Sequence, residues 1–132
     1  MIEDLIIIPT EKTPGIDLSY GILLFHGRSI IKDTKTFFDP VHAWIKKYLK
    51  DPAELTSLTI KLEYIDSQSA QALFQIITQL QSLTNKDLVL LINWFYAYGD
   101  LEMLELGEVI QGRLGVAMTY NEFMPEDPGD DY

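Results

Sequence analysis

The sequence predicts an α/β fold, a mixed β-sheet with its helices packed largely on one face. Three observations predict it. Segments of strand and helix character alternate along the 132-residue chain in the order β-β-β-α-β-α-β-α-β. A hairpin opens the chain, so the sheet cannot be wholly parallel. One central strand alternates apolar with polar residues, which keeps one face of the sheet wet; a sheet covered on both faces would carry strands that are apolar throughout.

Residues 5–8 are continuously apolar and stop at Pro9, which reads as a strand. After a polar loop over 10–15, residues 16–18 and 21–27 flank Ser19 and Tyr20 as the arms of a hairpin. Phe37, Val41, Trp44, Ile45 and Tyr48 recur at helical spacing and predict a helix over 37–49. Asp39-Pro40 supplies an N-cap with proline at the first helical position. Lys46, Lys47 and Lys50 favour the negative end of the helix dipole, and Asp51-Pro52 stops it.

Leu58, Ile60, Leu62 and Tyr64 then alternate with Thr59, Lys61 and Glu63, as a strand with one buried face requires. A second helix is expected over 67–83, with Ala70, Leu73, Phe74, Ile77 and Leu80 inward. A buried strand follows over 88–92, a third helix over 100–111 with an acidic side, and a last strand over 116–123. Residues 1–123 make one domain. Residues 124–132 hold four acidic residues, two prolines and a glycine, and read as an acidic flexible tail.

Composition excludes several classes. Without cysteine there are no disulfides, thiolate metal sites or cysteine nucleophiles. A net charge of −10 opposes binding to a phosphate backbone or to an anionic membrane surface. No stretch approaches the ~20 apolar residues of a membrane helix. The acidic start Met1-Ile2-Glu3-Asp4 is unlike a signal peptide. A cytoplasmic protein that meets other proteins, without nucleic acid, membrane or cofactor, is the expectation.

Catalytic and metal motifs are weak. Gly107 to Leu114 superficially resembles a phosphate-binding loop, but Arg113 and Leu114 replace the lysine and the hydroxyl residue. The segment also ends a helix, so a glycine stop before a strand accounts for it. His26 and His42 do not share a metal-ligand spacing. Asp100, Glu102, Glu105 and Glu108 form an acidic stretch, so a small metal-dependent enzyme using that helix and His42 stands as the alternative from another class.

Two stretches point to protein binding. Asn93-Trp94-Phe95-Tyr96-Ala97-Tyr98 places aromatics where a strand runs out, and both core and interface roles are open for them. Trp94, Tyr96 and Tyr98 are the candidate contacts. Asp66-Ser67-Gln68-Ser69 lies where the alternating strand passes into the second helix. Ser67 is placed as an N-cap. The other reading of its position is a phosphorylation switch at the positive end of a helix, where a phosphate adds about −1.5 to −2 charges beside Asp66.

The passage Ile65-Asp66-Ser67-Gln68-Ser69 resembles the phosphorylation loop of STAS domains, the fold of the bacterial anti-sigma-factor antagonists. A longer resemblance spans residues 5–123. Thr13-Pro14-Gly15-Ile16, Gly27-Arg28-Ser29, Phe37-Phe38-Asp39-Pro40-Val41, Trp44 to Leu49, Leu62 to Ser67, Trp94-Phe95-Tyr96 and Glu105-Leu106-Gly107-Glu108 follow in the order seen in SiaC-like regulatory phosphoproteins. That resemblance implies a STAS-like fold, and a serine/threonine kinase with a histidine-kinase-like ATPase fold that phosphorylates the chain. It also implies a PP2C-type phosphatase that reverses the modification. The unphosphorylated form would bind and activate a diguanylate cyclase, in cyclic-di-GMP and biofilm signalling; an anti-sigma-factor antagonist is the alternative within the same logic. By position Ser67 matches the phosphoacceptor, with Ser69 as fallback, and Asp66, Ser67, Gln68 and Ser69 join Trp94, Tyr96 and Tyr98 as the partner-binding set. Where the family usually shows asparagine before the phosphoacceptor, this chain has Asp66.

Overall fold

The computed structural model describes residues 2–125. Most of the predicted tail, 126–132, therefore lies outside the described residues. Strands β1 (Leu5–Ile7), β2 (Gly15–Ser19) and β3 (Ile22–Ser29) run antiparallel. Then α1 (Thr34–Tyr48), β4 (Leu55–Ile65), α2 (Ser67–Leu80), β5 (Val89–Ala97), α3 (Leu101–Leu114) and β6 (Ala117–Phe123) follow, and β3 to β6 are parallel. The six strands lie in chain order across one sheet. Each crossover therefore steps the sheet one strand in the same direction. Crossovers of one hand then place α1, α2 and α3 on the same face.

Burial agrees with that layering. Leu58, Ile60 and Leu62 of β4 and Leu90, Ile92 and Trp94 of β5 are buried beneath the helices. Their neighbours Ser57, Thr59, Lys61, Leu91, Asn93 and Phe95 point the other way and are half-buried or exposed. The helices close the core with Val41, Trp44, Ile45 and Tyr48 from α1, Leu73, Ile76 and Ile77 from α2, and Met103 and Ile110 from α3. The two large polar side chains taken furthest inside find partners: the Tyr48 hydroxyl meets Thr56 Oγ1 at 2.7 Å, and Trp94 Nε1 donates to the Met103 carbonyl at 2.9 Å.

Several boundaries differ from the sequence reading. Helix α1 starts three residues earlier than expected, because Asp33 and not Asp39 is its cap. The Asp33 carboxylate accepts from Thr36 Oγ1 at 2.7 Å and from the Thr36 amide at 3.1 Å. Those bonds, the hydroxyl's first, hold its carboxyl below the ordinary value of 3.8. Pro40 sits inside the helix on the exposed side. There its missing N–H removes one bond from the i→i−4 ladder of a helix already anchored by Phe38 and Val41. Helix α2 ends at Leu80 and tightens into a 3₁₀ turn over Gln81–Lys86. Strand β5 runs on through the aromatics to Ala97, since β4 and β6 flank it and pair with it on both sides. Tyr64 leaves the buried row and is 57% exposed, beyond a register shift between Gly27 and Arg28 that turns the strand ends outward. The glycine that stops α3 is Gly115 in the left-handed region, φ 67°, and not Gly112.

Gly107 has a separate role. A Cβ there would stand 2.7 Å from Trp94 Nε1 and 2.8 Å from its Cδ1, so α3 reaches the sheet only because this side chain is absent. Gly112, on the same helix, faces open space. The two alanine substitutions therefore have opposite signs. Gly112→Ala is expected to stabilise by about 0.5–1 kcal/mol through helix propensity. Gly107→Ala is expected to destabilise by about 1–3 kcal/mol through overpacking against a fully buried indole. Urea denaturation of both variants checks this, and equal shifts of one sign would refute the packing account.

Candidate functional site

The parallel strands end together at one edge of the sheet, and the site is built there. Ser29 ends β3 opposite Ile65, the last residue of β4. Asp66 extends that ladder by one bond, its amide donating to the Ser29 carbonyl at 3.0 Å. Its own carbonyl then accepts from the Ala70 amide at 2.9 Å and starts α2. Its carboxylate is divided between two loops: Oδ1 accepts from the Ser69 amide at 2.8 Å, and Oδ2 accepts from the Ile31 amide at 3.0 Å. Asp66 is thus the N-cap of α2 and also the clamp on the segment that leads from β3 to α1.

This corrects the expected cap. Ser67 is the first helical residue, not the residue that caps. Its side chain is exposed, as is that of Gln68. Ser69 is fully buried, and its hydroxyl has no hydrogen-bond partner. A kinase could reach Ser69 only after the first turn of α2 opened, whereas Ser67 is presented as the fold stands. The Ser29 hydroxyl is likewise buried and unpartnered. Both serines are tied to Asp66 through their backbone, Ser29 by its carbonyl to the Asp66 amide and Ser69 by its amide to the Asp66 carboxylate.

Ser67 borders a cavity of ≈330 Å³ between the starts of α2 and α3. Glu63, Asp66, Asp100 and Glu102 place four carboxylates around it, and Met103 and Leu106 give it an apolar floor. Asp100 caps α3, its Oδ1 accepting from the Met103 amide at 3.1 Å. Two helix N-termini therefore converge on this cleft.

The structure sorts the remaining candidates. Trp94 is fully buried and joined to α3, so it is a core residue and not a partner contact. Tyr96 is half-buried against the core, and Tyr98 is 68% exposed just past the end of β5, its amide donating to the Phe123 carbonyl. Four exposed apolar residues among those described at this end are not singled out by the sequence: Ile30, Tyr64, Leu101 and Met124. Leu101 carried a legible signal, an apolar residue at the first helical position directly after the capping Asp100. Tyr64 carried none, because its outward turn follows from the bulge. His42 binds Gln79 between α1 and α2, its Nδ1 2.9 Å from Gln79 Oε1, and does not meet the acidic residues of α3. Among the described residues no three His, Asp or Glu side chains come together as a metal-ligand set.

Comparison with known proteins comes to one family. Residues 7–122 match the model of the SiaC family of regulatory phosphoproteins. An uncharacterized protein of Pseudomonas aeruginosa (strain UCBPP-PA14) is 27% identical over 107 residues, 80% of this chain and 85% of that protein. The structure of SiaC of Pseudomonas aeruginosa superposes with a TM-score of 0.83 at 22% identity, covering 92% of this chain and all of that one. A further match, with a TM-score of 0.82 at 23% identity, covers 91% of this chain and all of the other. It comes from a crystal structure of the Pseudomonas aeruginosa diguanylate cyclase SiaD in complex with its activator SiaC.

The clamp can be tested without any partner. Asp66→Ala removes a cap and leaves a part-buried Ile31 amide unpaired, and should cost about 2–4 kcal/mol. Asp66→Asn keeps an acceptor for the Ser69 amide but turns a donor or nothing toward Ile31, so its cost should fall between those of alanine and aspartate. Urea denaturation ranks them; an alanine variant as stable as the parent would show that the clamp contributes nothing.

Proposed function

Since the chain belongs to the SiaC family of regulatory phosphoproteins, we propose that it is a phosphorylation-switched adaptor whose signal is the charge state of Ser67. The unphosphorylated form presents the start of α2 and the cleft beside it to an effector. A diguanylate cyclase is the effector that the SiaD complex suggests. A serine/threonine kinase with a histidine-kinase-like ATPase fold writes the mark in the cytoplasm, and a PP2C-type phosphatase removes it. The chain itself catalyses nothing.

One observation carries this reading: Ser67 is exposed at the first position of α2, on the rim of a cleft walled by four carboxylates. Tyr64 lines the cleft, and Ile30, Tyr98 and Leu101 are exposed at the same strand ends, where they supply apolar area for an interface. A phosphate there adds about −1.5 to −2 charges to a wall that is already acidic. Any partner that covered Ser67 would then have to bury that charge among carboxylates with no cation from this wall to pair it. Water can solvate the phosphate in the free protein, so the free form keeps its fold and the bound form carries the cost.

Phosphopeptide mapping of the protein from its native cells is expected to find phosphate on Ser67, and none in Ser67→Ala. Calorimetry with the cyclase should give tight binding for the unmodified protein and for Ser67→Ala. The phosphorylated form should bind at least 100-fold more weakly, about 3 kcal/mol. Equal affinity of both forms, or phosphate confined to other residues, would overturn the switch.

A further inference from the structure

Among the described residues, the helices cover one face of the sheet and no element covers the other. The register places the side chains of that face in rows. Leu55 lies beside Val89, and in the next row Ile22, Ser57 and Leu91 follow one another across β3, β4 and β5. Ile22, Leu55 and Val89 are each more than half exposed. A polar belt comes next, centred on Asn93. Its Nδ2 reaches Ser57 Oγ at 3.2 Å and Thr59 Oγ1 at 3.3 Å, and its Oδ1 accepts from Thr119 Oγ1 at 3.2 Å. The belt meets much of its hydrogen-bonding need within the face, so covering it costs little.

Charge on this face is close to balanced. Among its strand residues Asp17 and Glu63 are acidic, Lys61 is basic, and His26 lies 3.9 Å from Asp17. Lys61 lays its ammonium over the rings of Phe95 and Phe123, at 5.4 and 5.0 Å. The chain as a whole carries −10. A basic partner would be drawn to the acidic cleft and gains nothing on this face. Two copies of so acidic a chain repel at long range, and a contact through this nearly neutral face adds little to that repulsion.

We propose that the bare face binds a second copy of the chain, the two sheets packing face to face about a two-fold axis. The size fits. Six strands about 4.8 Å apart, taken over some 20 Å of their length, present roughly 500 Å² in plan. Side-chain relief brings this toward the ~800 Å² per partner of a standard interface. Two facing sheets of this twist are a common packing, with their inner side chains forming a layer about 10 Å thick. Ser67 lies at the strand ends and not on this face, so the dimer forms whether or not Ser67 is modified.

Sedimentation velocity of the full chain, from about 1 to 300 μM, tests this by mass action. The expected result is a species of twice the 15.1 kDa chain mass. Its formation should tighten as salt rises from about 0.05 to 0.5 M, because screening relieves the repulsion between two acidic subunits. The double variant Ile22→Glu with Val89→Glu alters only exposed side chains two strands apart and should keep the melting temperature, yet weaken association by at least about 30-fold. Gln75→Glu, exposed on α2, should leave it unchanged. A monomer at every concentration would overturn the proposal, and so would a dimer indifferent to the double variant. A monomer whose cyclase binding is lost in that variant would overturn it too, by giving the face to a different occupant.

Discussion

The Asp66 carboxylate is the constraint on which the functional end of this protein depends. One side chain closes two loops. Through the Ser69 amide it fixes where α2 begins, and through the Ile31 amide it fixes where the chain goes after β3. Its backbone continues the β3–β4 ladder at the same time. The position of Ser67 therefore follows from the sheet: the residue after a strand-end aspartate that caps a helix must be the first residue of that helix, with its side chain outside the capping ring. An asparagine here could accept only one of the two amide bonds, so the acidic residue at this position ties the loop and the helix more fully.

That constraint was partly legible. The alternation of Leu58, Ile60 and Leu62 marked β4, and the apolar spacing of Leu73, Ile77 and Leu80 marked α2, so the junction between them was placed within a residue. The role of cap was assigned to the wrong neighbour. Asp and Ser are both good caps, and adjacent candidates differ only in which backbone turns extended; here Asp66 is the extended residue, at φ −87° and ψ 172°. The same ambiguity displaced the start of α1. Asp39-Pro40 satisfies the rule for a first turn, but so does Asp33 with Thr36 three residues on, and the earlier pair won because Phe38 had core to meet.

The aromatic run stays open between core and interface for a physical reason of a different kind. Trp94, Phe95 and Tyr96 look excessive for burial when the strand is read as ending at Ile92. In the sheet, β5 is flanked by β4 and β6, and successive side chains go to opposite faces. Trp94 enters the core under Gly107, and Phe95 goes to the bare face beside Lys61. The gap that receives the indole comes from a glycine 13 residues later on another element, and no local pattern connects the two. What the sequence did show was that this much aromatic surface had to be shared between inside and outside.

The layered design separates two kinds of work. The helix layer and strand ends carry the acidic cleft, two capped helix starts and the exposed serine. The opposite face carries nearly balanced charge and hydrogen bonds that it satisfies itself. A charge added at Ser67 is felt most within about a Debye length, 8–10 Å at physiological salt, and is screened beyond it. The change is therefore confined to whatever sits on the strand ends. A switch that acts so locally does not need a second fold. It needs only that the serine be held in one place, and in the unmodified chain the Asp66 clamp does that through the Ser69 and Ile31 amides. On the proposed reading the acidic wall would set the sign of the effect: none of the described residues lining the cleft is a cation, so a phosphate on Ser67 would stay favourable only while water could reach it.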